Sequence, residues 1–107
     1  MCQTKILHHS SVGCVTYCYH CEGIQVIFGT TALRLSQEQF ESFYDYLSNF
    51  FPKYDRDCCT KRIMIPVTEH AVAMLLTGAE LYQLHQLLEE AHNALGLVKL
   101  LKNLPLN

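Results

Sequence analysis

The sequence predicts an α+β fold: an antiparallel sheet of five or six strands with two helices on one face, in ββα–ββα order, preceded by an N-terminal hairpin strand. Three observations predict it. Short runs of β-favouring residues, separated by glycine- and serine-bearing turns, fill residues 4–35 and return at residues 63–76. Two later segments, opening at Ser36 and Thr77, each begin with a capping box and continue with apolar residues at three- and four-residue spacing. The two patterns also repeat: Leu33 to Phe40 matches Met74 to Leu81 at an offset of 41, which sets Phe43 on Leu84 and Leu47 on Leu88.

In chain order, residues 4–8 form a first strand and residues 13–19 a second, with Val15, Thr16, Tyr17 and Tyr19 favouring extended backbone. With a turn at His9–Val12 the pairing is antiparallel and paired residue numbers sum to about 21–22 by hairpin geometry. Cys2 then falls opposite Tyr19 or His20. A Cys18–Gly23 turn leads to a strand over 24–28, where Ile24, Val26 and Phe28 share a face. Gly29-Thr30 reverses the chain into Thr31–Leu35. Ser36 and Gln39 form the first capping box, and Glu38 suits the positive end of the helix dipole. Phe40, Phe43, Tyr44, Leu47, Phe50 and Phe51 make the apolar stripe, and Pro52 ends the helix near Asn49 or Phe50.

A polar loop spans 53–61. Ile63–Val67 reads as a strand whose Pro66 belongs at an edge or a non-donating position. Ala71–Leu76 returns. Thr77 and Glu80 form the second capping box, and Leu81, Leu84, His85, Leu88, Ala91, His92 and Leu95 form the second stripe. Gly96 either stops this helix or is passed on the way to Leu101. The organisation is a single domain over 1–107: hairpin and knuckle 1–23, first ββα unit 24–52, loop 53–61 and second ββα unit 62–102. Duplication explains the repeat, and so does the shared physics of capped amphipathic helices after hairpins.

Composition narrows the function classes. Half of the 107 residues are apolar and 17% are charged, enough for one core. The formal net charge is -2 and the eight Lys and Arg are scattered. Nucleic-acid binders carry a basic stripe that displaces counterions from phosphate, so none is expected as a partner. The apolar runs are short against the ~20 residues that span a bilayer, and the first ten residues do not read as a signal peptide, so no membrane partner and a cytoplasmic location are expected.

Six cysteines in that setting point to metal ligation or redox chemistry rather than to a disulfide framework. Cys18-x-x-Cys21 between two strands has the zinc-knuckle arrangement, in which a tight turn aims two thiolates at one tetrahedral ion. A single pair is half a site. Ranked by reach, Cys2 comes first, then Cys58 or Cys59, so the expected set for a structural Zn²⁺ is Cys2, Cys18, Cys21 and Cys59. His20 lies between the knuckle cysteines and points away. Cys14 is four residues before Cys18, roughly 13 Å along an extended chain, and is read as a core residue. Two alternatives stay open. The thiols can be plain small hydrophobes in a metal-free fold. The Cys18/Cys21 pair can instead serve a small thiol- or metal-dependent enzyme, a reading ranked below zinc because Gly23 and a strand follow Cys21, no helix begins nearby and the dipole that would lower a thiol pKa is absent.

No Gly-x-Ser-x-Gly, P-loop, Gly-x-Gly-x-x-Gly or His-Glu-x-x-His motif is present, and the chain reads as leaning non-enzymatic. His85 and His92 sit at the boundary of the second stripe, where histidines are most often packing residues. The aromatic first helix and the apolar tail from Leu97 to Lys102 offer surfaces for a protein partner or a homodimer.

The run Gly13-x-Val15-x-x-Cys18-x-x-Cys21, followed by Ile24-Gln25-x-x-Phe28-Gly29-Thr30 and Leu33-x-Leu35-Ser36, resembles a small bacterial family of proteins about the length of this one, with no assigned function. The likeness covers most of residues 2–95. It implies a cysteine near the N-terminus, like Cys2, that accompanies the Cys-x-x-Cys pair, and it implies no activity.

Overall fold

Among the described residues, eight elements follow one another in the order the sequence suggests. A computed structural model describes residues 4–50, 63–67 and 72–102. They are β1 (Thr4–Ser10), β2 (Gly13–Cys18), β3 (Ile24–Phe28), β4 (Thr31–Leu35), α1 (Gln37–Phe50), β5 (Ile63–Pro66), β6 (Ala73–Leu76) and α2 (Gly78–Lys102). The fold is α+β. Both capping boxes form as expected: Ser36 Oγ accepts from Gln39 N at 3.1 Å while Gln39 Oε1 accepts from Ser36 N at 2.8 Å, and Thr77 and Glu80 exchange the same pair at 3.0 and 2.9 Å.

β1 to β4 form an antiparallel meander in sequence order. Its register is set by alternation. Val15, Val26 and Leu33 stand side by side and are buried under the helices, whereas Thr16, Gln25 and Arg34 occupy the next row on the opposite, open face. Gly29 has φ +57° at the first turn position of a two-residue loop, a backbone that favours glycine and suits the strand twist. Gly13 is required for closeness instead: a Cβ there would stand 2.0 Å from the Ile27 carbonyl oxygen.

Two expectations need correction. The strands do not join into one sheet of five or six. Among the described residues, β5 and β6 pair only with each other, as a two-stranded ribbon beside the four-stranded sheet. The two sheets share a core rather than an edge: Ile63, Ile65, Met74 and Leu76 turn into the same buried cluster as the meander, and Met64 and Leu75 face outward. Cys14 is also not a core residue. It is half-buried on the open face, opposite His9 and beside Ile27.

Both helices cover the same face of the meander. α2 lies on β1 and β2, and α1 packs beside α2 and touches β4. α2 passes through Gly96 and ends at Lys102. Gly96 costs this helix about 1 kcal/mol relative to alanine. The buried Leu95 and Val98 on either side hold the segment against the core and offset that cost.

Candidate metal centre at the knuckle

The knuckle is built by three short hydrogen bonds. Cys18 N donates to Gly23 O at 2.9 Å and Glu22 N donates to Cys18 O at 2.9 Å, which closes the turn. Glu22 takes a left-handed φ of 59°, a non-glycine in a costly conformation that the turn enforces. The third bond involves sulfur: Cys21 N donates to Cys18 Sγ at 3.4 Å. That bond fixes the Cys18 sulfur against the backbone of the turn. Cys18 is buried and Cys21 is exposed, so one sulfur of the pair is fixed at the end of β2 and the other faces outward.

The pair opens onto a cleft of about 350 Å³ on the open face of the meander. Thr4, Thr16, Gln25 and Arg34 contribute to it from all four strands. Ser36, the cap of α1, also lines it. Along the chain no helix begins near Cys21, but in space the start of α1 belongs to the same cleft, because β3 and β4 carry the chain back past the knuckle. The expectation of a thiol pair remote from any helix start is therefore corrected.

Of the expected metal set, Cys18 and Cys21 are brought together, while Cys2 and Cys59, like Cys58, lie outside the described residues. The hairpin register near the knuckle follows expectation: Thr4 faces Cys18, Lys5 faces Tyr17 and Ile6 faces Thr16, each pair summing to 22. A β-bulge between Ile6 and His8 moves the sum to 23 toward the turn, and β1 extends two residues beyond its expected end. His20 is exposed. Among the described residues, no group of three or more Cys, His, Asp or Glu is placed to hold an ion. The described residues thus bring together two sulfurs, half the number of ligands a structural zinc would need.

A second polar cluster lies in the seam between α1 and α2. Ser48 Oγ donates to Tyr44 O at 2.9 Å, so its 3.1 Å contact with His85 Nε2 requires the imidazole to donate. His92 Nε2 meets Glu41 Oε2 at 2.9 Å, and Lys99 approaches the other carboxylate oxygen at 3.8 Å. Tyr44 stacks between the two imidazoles, 4.6 Å from His92 and 5.9 Å from His85. His92 is half-buried at the boundary of the stripe, as expected, whereas His85 is buried. Their partners Glu41, Tyr44 and Ser48 were not foreseen; their three- and four-residue spacing on one flank of the first stripe was the available signal. Ser48 commits its proton to a backbone carbonyl, so the seam fastens two helices and does not activate a nucleophile.

The family described as "Family of unknown function (DUF6686)" matches residues 1–104. The chain belongs to that family. No curated protein matches it, and no solved structure matches it. Membership agrees with the resemblance drawn from the knuckle and the strand–turn that follows it, and assigns no reaction. No described helix is long and apolar enough to cross a membrane.

Proposed function

We propose that this chain is a zinc-stabilised, non-enzymatic domain that acts through contact with a protein partner or a second copy of itself, in the reducing setting of the cytoplasm. The carrying observation is the Cys21 N–H donated to Cys18 Sγ within a hydrogen-bonded turn. Such a turn holds one sulfur and sets the second beside it before any ion arrives. Cys18 and Cys21 would hold the zinc together with Cys2 and Cys59, and the ion would tie the hairpin to the segment that enters β5. The metal supplies folding free energy, since the ligand set is not assembled in an unfolded chain.

Partner contact is supported by apolar surface. Leu97, Leu100 and Leu101 near the end of α2 are each more than half exposed, and so are Met64 and Leu75 on the ribbon. Among the described side chains of the first helix, Phe40, Phe43 and Leu47 are core residues, and the half-buried Tyr44 and Tyr46 are its aromatic contribution to a surface.

A second reading is favoured by the cleft itself. A concavity that sets Cys18 and Cys21 with Arg34 and the start of α1 would seat thiol chemistry on a small substrate. Replacing Cys18 separates the readings. Cys18→Ser is expected to release zinc and to lower the melting temperature by several degrees. An unchanged melting temperature in a protein whose Cys21 thiol reacts unusually fast would instead favour the enzyme.

A further inference from the structure

The two outer edges of the meander differ. β1 carries a bulge at Leu7 and lies under α2, two devices that blunt an edge. β4 has neither a bulge nor a proline. Its register with β3 follows from the two-residue turn: Phe28 and Thr31 form the hydrogen-bonded pair next to the loop, so Thr31, Leu33 and Leu35 bond to β3. Ala32 and Arg34 then direct their N–H and C=O groups outward, where neither bonds to a described residue.

That outward row is exposed, with Ala32 and Arg34 both open to solvent. It forms one wall of a groove of about 650 Å³ whose other walls are α1 and the end of the β5–β6 ribbon. Leu33, Leu35, Phe43, Tyr46, Val67 and Val72 line it, and Arg34 and Glu38 stand at its rim. Unpaired strand groups beside a helix and apolar side-chain pockets make a surface for strand addition, where backbone bonds give affinity and alternate side chains give selection. Arg34 is exposed and forms no ion pair with a described residue.

We propose that the β4 edge, with α1 and the ribbon end, binds an extended peptide segment of a partner protein as a fifth strand, apolar at alternate positions and acidic opposite Arg34. The occupant is a single chain rather than a second copy of this protein. A second meander would bring its own helix and ribbon against walls that already flank the edge. The proposal rests on the partner-contact half of the reading above and not on its metal, so zinc content is measured on the same sample as a separate result.

The test uses the full chain and peptides selected against it from a random display library. Backbone amide exchange at Ala32 and Arg34 is followed by NMR as each peptide is titrated. Strand addition predicts saturable binding and at least a ~10-fold slowing of exchange at those two amides, with no comparable change along β1. Methylating the backbone nitrogens along one edge of the peptide should abolish the effect, a control that leaves the protein unaltered. Ala32→Pro, which removes an outward donor at an edge position, should weaken binding at least tenfold while zinc content is retained. Failure to select any binder, or binders that leave both amides unprotected, would overturn the proposal. So would a dimer in sedimentation whose Ala32 and Arg34 amides are protected before peptide is added.

Discussion

The two ββα units have the same element order and different fates. Each runs strand, turn, strand, capped helix, and positions 41 apart carry equivalent work: Ser36 and Thr77 cap, and Leu47 and Leu88 are fully buried. Yet β3–β4 is extended by the N-terminal hairpin into a four-stranded sheet, and β5–β6 remains a ribbon. An isolated two-stranded ribbon is marginal in water. This one is held by the side chains it sends into the common core. The comparison shows that capping and stripe spacing decide what each unit is, while edge partners decide what it joins.

The strongest way to break the equivalence is in the core. Leu47→Ala and Leu88→Ala each remove a side chain with no exposed surface, and each is expected to cost about 2–5 kcal/mol. Denaturant unfolding of the two variants checks this. A cost below about 1 kcal/mol at either site would mean that its helix is not seated in the shared core.

The caps sharpen the comparison, because they form the same bonds in different surroundings. Thr77 is buried and Ser36 is exposed. Thr77→Ala should therefore cost about 1–2 kcal/mol and Ser36→Ala about 0.5–1 kcal/mol. The reverse order in thermal unfolding would show that water does not replace the lost acceptor at Ser36. An effect of similar size and opposite sign is expected in the part of α2 that has no counterpart in α1. A Cβ added at Gly96 in α2 would meet no neighbouring atom within 4 Å. Gly96→Ala should therefore raise stability by about 0.5–1 kcal/mol. A loss would mean that Gly96 bends α2 for a purpose.

Much of this fold was legible because its determinants are local. Ser36 with Gln39 and Thr77 with Glu80 announce helix starts within one turn, and Gly29-Thr30 fixes the β3–β4 register by itself. What was not legible depends on distance. The bulge at Leu7 leaves no mark in the propensities of β1. The separation of the ribbon from the meander depends on an edge that no residue of β4 or β5 declares. The seam pairs Ser48 with His85 and Glu41 with His92, residues 37 and 51 positions apart, and spacing on either helix alone names only half of each pair. At the knuckle, the turn and its two sulfurs were readable from Cys-x-x-Cys followed by glycine. That the start of α1 shares the cleft was not, since twelve residues of hairpin separate Gly23 from Ser36.

The central claim is that the turn at Cys18 and Cys21 is half of a zinc site, and metal analysis of the purified protein tests it most directly. The account predicts one equivalent of zinc per chain, thiols at Cys18 and Cys21 that stay unreactive in the folded protein, and unfolding at a lower temperature once a chelator removes the metal. Protein without zinc, whose knuckle thiols titrate freely and whose melting is indifferent to chelator, would contradict it.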